Sequence, residues 1–309
     1  MAAIVKLLQP GAAKPRNNPY TVCILANPAL ETPLDSGNFS VDPITAQQAR
    51  FDAAAAYVLD TLLGHLPGQK DTTVGTLAPD FRVVSIFEPD LPATDANALV
   101  GEDSTSDIVV ARQERFADYL ARHDIDGEPL KADVVYAVTA SATHSRCSAW
   151  FTRDDDSQGG VAFTIDGATR HHRYENLDPG TVALHVTAYS LTALHEFGHA
   201  ASSWTNGMII DLYVDNRPGF NNKRRAAPNT PRPRAFCSYR GTAYKTDAAR
   251  DGLGYPRNWW SFHCELTDPA QPAAMDDYWK AGGGPAACQH DRVTRQFLFD
   301  RISAIMSRP

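Results

Sequence analysis

The chain of 309 residues is 43% hydrophobic and 21% charged, which allows one large or two modest globular domains with a sizeable buried core. Its 36 acidic and 29 basic residues give a net charge of −7, which argues against a general nucleic-acid or polyanion binder. No segment approaches the ~18 consecutive apolar residues of a membrane span. Residues 1–9 lack the features of a secretory signal, which predicts a cytoplasmic protein if the sequence is the full gene product. A processed secreted form would have the same appearance.

Five cysteines are scattered along the chain without a CxxC pair. This distribution argues against a disulfide-built scaffold and against a zinc site made of cysteines alone. Buried free thiols are therefore expected. The alternative is one disulfide among Cys237, Cys264 and Cys288.

Strand and helix signals alternate through the first 140 residues, which is typical of a sheet covered by helices. Apolar runs ended by proline or asparagine indicate strands, and apolar positions near a 3.6-residue period indicate helices. Asp42 and Pro43 supply an N-cap and a first-turn proline for the first helix. The predicted order is strand Thr21–Ala26, helix Pro43–Leu63, strand Phe81–Phe87, helix Ile108–His123 and strand Ala132–Thr139.

Shorter elements follow Ser141. The predicted fold is therefore α/β to α+β, a mixed twisted sheet with flanking helices. Residues 1–140 form an α/β part and residues 141–309 form a second part, within either one continuous domain or two. The later predicted elements are strands Trp150–Thr152, Gly160–Ile165 and Met208–Val214, and helices Thr187–Ser203 and Asp291–Met306.

The second part contains an HExxH motif within the segment LTALHEFGHA, residues 191–200. On an α-helix, His195 and His199 lie one turn apart on the same face, so both imidazoles can reach one metal ion. Glu196 lies about 100° further round the helix, close enough to take a proton from water at the metal. Zinc suits imidazole and lowers the pKa of bound water to roughly 7. The motif therefore predicts a site for one zinc ion per chain, with Glu196 as general base.

This helix resembles the active-site helix of the zincin metallopeptidases, whose signature is HExxH. The resemblance implies that His195 and His199 are zinc ligands and that Glu196 is the general base. It also implies a twisted sheet whose last strand is an edge that pairs with an extended peptide substrate. The strand Gly160–Ile165 is expected to be that edge.

The third zinc ligand distinguishes the zincin subgroups. Metzincins continue as HExxHxxGxxH, and here Ser202 and Thr205 occupy the last two of those positions, so the metzincin pattern fails. In gluzincins the third ligand is a glutamate from a downstream helix, usually followed four residues later by an aspartate. Glu265 resembles that glutamate, although the aspartate here, Asp268, is only three residues later. Asp211 is the alternative, because it follows the active helix closely and interrupts an otherwise apolar strand. Glu265 is favoured over Asp211.

The predicted function is zinc-dependent hydrolysis of peptide bonds, with a peptide or protein as substrate and neither nucleic acid nor membrane as partner. One alternative is a zinc hydrolase acting on a non-peptide amide or ester, and another is a non-catalytic zinc-stabilised binding protein. The oligomeric state is not indicated. The residues that stabilise the oxyanion are not determined either, the candidates being His144, His185, His263, His290, Tyr213, Tyr239, Tyr244, Tyr255 and Tyr278.

Overall fold

The computed structural model shows a mixed α/β protein with two main sheets and a few helices, which confirms the predicted fold class. Within the described ranges, no helix has both the length and the apolar composition needed to cross a bilayer. The structure describes residues 2–11, 18–66, 68–70, 72, 74–144, 146–152, 158–165, 192–203, 209, 274–275, 289–290 and 292–308.

The larger sheet has six strands in the order β1-β5-β2-β10-β12-β11. Its four inner strands run parallel, whereas the two edge strands, β1 and β11, run antiparallel to their neighbours. Two of the six strands come from beyond residue 140, but the division of the chain at that residue stays a prediction. The strands are β1 (Ile4–Pro10), β2 (Tyr20–Ala26), β5 (Phe81–Phe87), β10 (Val134–Thr139), β11 (Ser148–Trp150) and β12 (Gly159–Thr164).

A smaller four-stranded sheet and a two-stranded hairpin complete the described strands. The smaller sheet has the order β4-β3-β6-β7. Its strands are β3 (Ala29–Glu31), β4 (Phe39–Val41), β6 (Ala98–Glu102) and β7 (Val109–Ala111), and the hairpin pairs β8 (Asp124–Ile125) with β9 (Glu128–Pro129).

Both faces of the larger sheet are covered. Alternate side chains of its central strand β2 belong to two separate hydrophobic cores, one on each face. Val22 and Ile24 pack with the helices α1 (Gln48–Leu63), α3 (Thr192–Ala200) and α4 (Arg292–Met306). Cys23 and Leu25 pack on the other face with the smaller sheet and α2 (Phe116–Leu120). A strand buried on both sides reads as a continuous apolar run, as β2 does.

The predicted helix Pro43–Leu63 begins at the expected cap but is divided at Gln47 into a short 3-10 turn and α1. The Asp42 carboxylate accepts a hydrogen bond from the Ile44 backbone N–H at 3.0 Å, and Pro43 opens a short 3-10 turn that precedes α1. The helix ends at Gly64, whose φ of 76° is a conformation that favours glycine. Asp42 also accepts from the Ala140 N–H at 3.0 Å, so this cap is tied to the end of β10.

Most predicted elements in the described residues are confirmed, but two are largely wrong. The strand predicted at Trp150–Thr152 lies earlier in the chain, at Ser148–Trp150. The segment Ile108–His123 was expected to be a single helix. It contains strand β7, a 3-10 turn and only a five-residue α-helix, α2. The β-branched residues of β7 pair antiparallel with the preceding strand β6, and helical periodicity within the segment does not reveal that pairing. Of the predicted strand Met208–Val214, the structure describes Ile209 alone.

Asp133 is a half-buried carboxyl whose ionisation opposes folding. It accepts a hydrogen bond from the Thr21 N–H at 2.7 Å, and burial raises its pKa to about 6. Because the folded state holds this proton more tightly than the unfolded state, the stabilisation is complete below pH ~4 and is lost as the pH rises through about 6. Asp133→Asn keeps an acceptor oxygen and cannot ionise.

We therefore expect the free energy of unfolding of the wild type, relative to that of Asp133→Asn, to fall between pH 4 and pH 7. Urea denaturation at a series of pH values measures the difference. Asp118→Asn, at an exposed position on α2, is the control. A difference between wild type and Asp133→Asn that is independent of pH would contradict the assignment.

Candidate metal site

The helix α3 carries the HExxH motif and lies directly on the larger sheet. All nine of its residues are buried. Its C-terminus packs so closely on β12 that a Cβ atom at Gly159 would overlap the Ala200 carbonyl, which explains the glycine there. The Tyr136 hydroxyl from β10 donates to the Ala193 carbonyl at 2.6 Å, which fixes the beginning of the helix. The sheet therefore holds the motif at both ends.

His195, Glu196 and His199 form a compact buried group that could hold a metal ion. Their side chains are buried, and one ligand atom from each lies within 4.8 Å of the other two. The two imidazole rings are 5.0 Å apart between centroids and nearly perpendicular. Among the residues that the structure describes, this is the single group of three or more potential ligands with such spacing.

Both imidazoles are held by backbone carbonyls through their Nδ1 atoms. His195 Nδ1 lies 2.6 Å from the Ala274 oxygen, and His199 Nδ1 lies 2.7 Å from the Ile209 oxygen. A carbonyl oxygen only accepts hydrogen bonds, so each Nδ1 carries the proton and, in a neutral ring, Nε2 carries the lone pair. Metal-binding histidines are oriented in this way, and the donor set therefore fits a divalent cation.

Apolar and aromatic side chains surround the histidines. The Phe151 ring meets the His199 ring edge-on at 6.1 Å. Gly198 has no side chain because a Cβ atom there would come within 2.7 Å of Met275 Sδ and 3.2 Å of His290 Nε2. A low-dielectric surrounding of this kind strengthens electrostatic interactions at the site.

The buried carboxylate of Glu196 also affects a neighbouring phenol. Burial raises the pKa of Tyr136 well above its usual value, and the charge of Glu196 acts in the same direction. Tyr136 therefore stays protonated, as its hydrogen bond to the helix backbone requires. Through this hydrogen bond Tyr136 anchors α3 to the sheet.

The remaining predicted site residues divide into two groups. His290 is fully buried and packs beside Gly198 but does not belong to the ligand group. His144 lies at the smaller sheet, 3.6 Å from the Glu102 carboxylate and 2.9 Å from the Asp103 carbonyl.

The candidate third ligands, Glu265 and Asp211, lie outside the described residues, so the preference for Glu265 stays a prediction. The other residues named as possible oxyanion donors also lie outside them, namely His185, His263, Tyr213, Tyr239, Tyr244, Tyr255 and Tyr278.

The prediction that Gly160–Ile165 is the edge of the sheet is wrong. That segment is strand β12, but β11 pairs with it antiparallel and forms the outer strand. The strand β11 precedes β12 in the chain and pairs with it through three residues. A strand of three residues is too short to be recognised from the alternation of apolar and polar residues. The end of β11 is fixed by the Gln113 amide, which donates to the Phe151 carbonyl at 2.9 Å and also to the Gln158 carbonyl.

Several residues that shape the site were missed from the sequence. The carbonyls of Ala274 and Ile209 orient the ligands, but any residue provides a carbonyl, so no sequence signal exists for them. Gly159 is different, because a Gly-Gly pair at the start of a strand is a signal for close backbone approach.

Comparison with known proteins adds no assignment to this geometry. No family model and no curated protein matches the chain. The function is therefore inferred from the residues of the site itself.

Proposed function

We propose that the protein is a zinc-dependent hydrolase and, more specifically, a metallopeptidase. The observation that carries the proposal is the group His195, Glu196 and His199, in which each imidazole donates from Nδ1 to a carbonyl and a carboxylate lies beside them. A purely structural zinc site has no use for a general base. Imidazole ligands favour zinc among the common divalent ions without redox chemistry.

The residues have distinct parts in the proposed reaction. A zinc ion at the site would polarise the scissile carbonyl and make water more acidic. His195 and His199 would hold the metal, because their Nδ1 atoms are engaged by carbonyls and Nε2 is left for it. Glu196 accepts a proton from the attacking water and returns it to the leaving amine nitrogen. The buried surroundings exclude bulk water from these transfers.

The outer strand β11 supports a peptide as the substrate. It is the outermost strand of the described sheet, Arg146 just before it pairs with Ile108 beside β7, and its last residue, Trp150, is 47% exposed. Phe151 follows at once and contacts His199. An extended peptide that added to this edge would run beside the metal site with its backbone hydrogen-bonded. A non-peptide amide or ester would not need such an edge.

Removal of the metal tests the proposal directly. We expect the purified protein to contain about one zinc per chain and to cleave members of a peptide library. A chelator followed by dialysis should abolish cleavage, and zinc should restore it. Cleavage that survives zinc removal would contradict the proposal. Turnover of simple esters or anilides, without any peptide, by the zinc-loaded protein would favour the alternative hydrolase.

A further inference from the structure

The hydroxyl of Ser202, two residues beyond the end of α3, closes a ring of hydrogen bonds around Ile209. Ser202 Oγ donates to the His199 carbonyl at 2.7 Å and accepts from the Ile209 N–H at 3.1 Å. The His199 ring in turn donates from Nδ1 to the Ile209 carbonyl at 2.7 Å. Both backbone groups of Ile209 are thus bound by the end of the helix that carries the motif.

This ring matters because the orientation of His199 depends on where the Ile209 carbonyl lies. Ser202 and Ile209 are both fully buried, so bulk water does not replace the hydroxyl as acceptor for the Ile209 N–H. Loss of the partner of a buried donor is unfavourable, because the N–H group then has neither protein nor water to bind, and this favours displacement of the Ile209 backbone. A displaced carbonyl would no longer fix the Nδ1 proton or the direction of Nε2.

The other imidazole is anchored independently. His195 donates to the Ala274 carbonyl, and the Ala274 N–H donates to the Gln289 carbonyl at 2.8 Å. None of these bonds involves Ser202. His195 is therefore an internal reference for any effect that passes through Ser202.

We propose that Ser202 is a positioning residue, whose hydroxyl holds Ile209 so that Nε2 of His199 points at the metal. The inference rests on the proposed metal site and is independent of the substrate. It assigns a function to the serine that stands where the metzincin pattern has glycine.

The backbone carbonyl of Ser202 has a separate, structural role, which the test must distinguish from the role of the hydroxyl. Its carbonyl accepts hydrogen bonds from the N–H and the hydroxyl of Thr152, both at 3.0 Å. Arg301 on α4 donates to the same Thr152 hydroxyl at 2.9 Å. Thr152→Val removes this neighbouring hydroxyl with little change in shape and leaves the bonds to Ile209 intact. It is the matched control for Ser202→Ala.

The first measurement is zinc affinity by competition with a chelator. Loss of a group that orients a metal ligand typically weakens binding roughly 10–100-fold, which is the effect expected for Ser202→Ala. Thr152→Val should lose stability while its zinc affinity stays near that of the wild type. Ser202→Cys keeps the side-chain shape but hydrogen-bonds only weakly, so it should also bind zinc less tightly, and it serves if Ser202→Ala does not fold.

The second measurement needs no metal. Nitrogen-15 NMR of the imidazoles in the metal-free protein reports which ring nitrogen carries the proton. We expect the wild type to hold His199 in the Nδ1–H form, and Ser202→Ala to give a mixture of tautomers at His199 with His195 unchanged.

The outcomes separate this inference from the proposed function. Wild-type protein that binds zinc, with equal affinity in Ser202→Ala, would overturn the positioning role alone. An equal loss of affinity in Ser202→Ala and Thr152→Val would also overturn it, because the effect would then follow general stability. Wild-type protein that binds no zinc would overturn both.

Discussion

Replacement of Glu196 by glutamine is expected to reduce peptide turnover by at least ~10²-fold, the scale of lost general-base catalysis. Glutamine has nearly the same shape, but its amide does not accept the proton that the carboxylate takes from water. Zinc content and thermal stability should stay near those of the wild type, because the ligands and their carbonyl partners are retained. Steady-state kinetics on a cleaved peptide, with elemental analysis of the same samples, measures both properties.

A glutamate elsewhere provides the control for this substitution. Glu128, exposed on the β8–β9 hairpin, should tolerate glutamine without effect on turnover or metal. Full activity in Glu196→Gln would show that another group activates water and would refute the assigned role. Loss of zinc together with activity would instead identify Glu196 as a ligand, which its position in the same group of ligand atoms allows.

The double substitution His195→Ala/His199→Ala is expected to remove nearly all bound zinc. Two of the three protein ligands that a catalytic zinc requires are lost, and no residue in the described surroundings replaces them. Elemental analysis after dialysis measures the zinc content, and circular dichroism tests whether the fold is retained. His65→Ala, at a histidine whose side chain is 57% exposed, is the matched control. Full zinc in the double variant would disprove the site.

The same assay ranks the two candidate third ligands. Glu265→Ala is expected to lose zinc at a lower chelator concentration than Asp211→Ala, because removal of a direct ligand costs more than removal of a group that supports one. The reverse order would identify Asp211 as the ligand and leave the zinc site standing.

The edge of the larger sheet illustrates how far local patterns could predict the fold. The apolar runs that became β2, β5 and β10 were recognised because strands buried on both faces have few polar residues. The three-residue strands β7 and β11 were not assigned correctly. Such strands exist through pairing with another strand, as β7 pairs with β6 and β11 with β12. Their formation is a property of the tertiary structure.

The candidate site divides in the same way. By itself, the sequence determined that His195 and His199 share a helix face, because an i, i+4 spacing fixes that relation whatever the surroundings. Only the tertiary structure decided which nitrogen of each imidazole is protonated, since that depends on the carbonyls of Ala274 and Ile209, 79 and 10 residues away from their partners. Carbonyls are common to all residues, so the information lies in where the folded backbone places them.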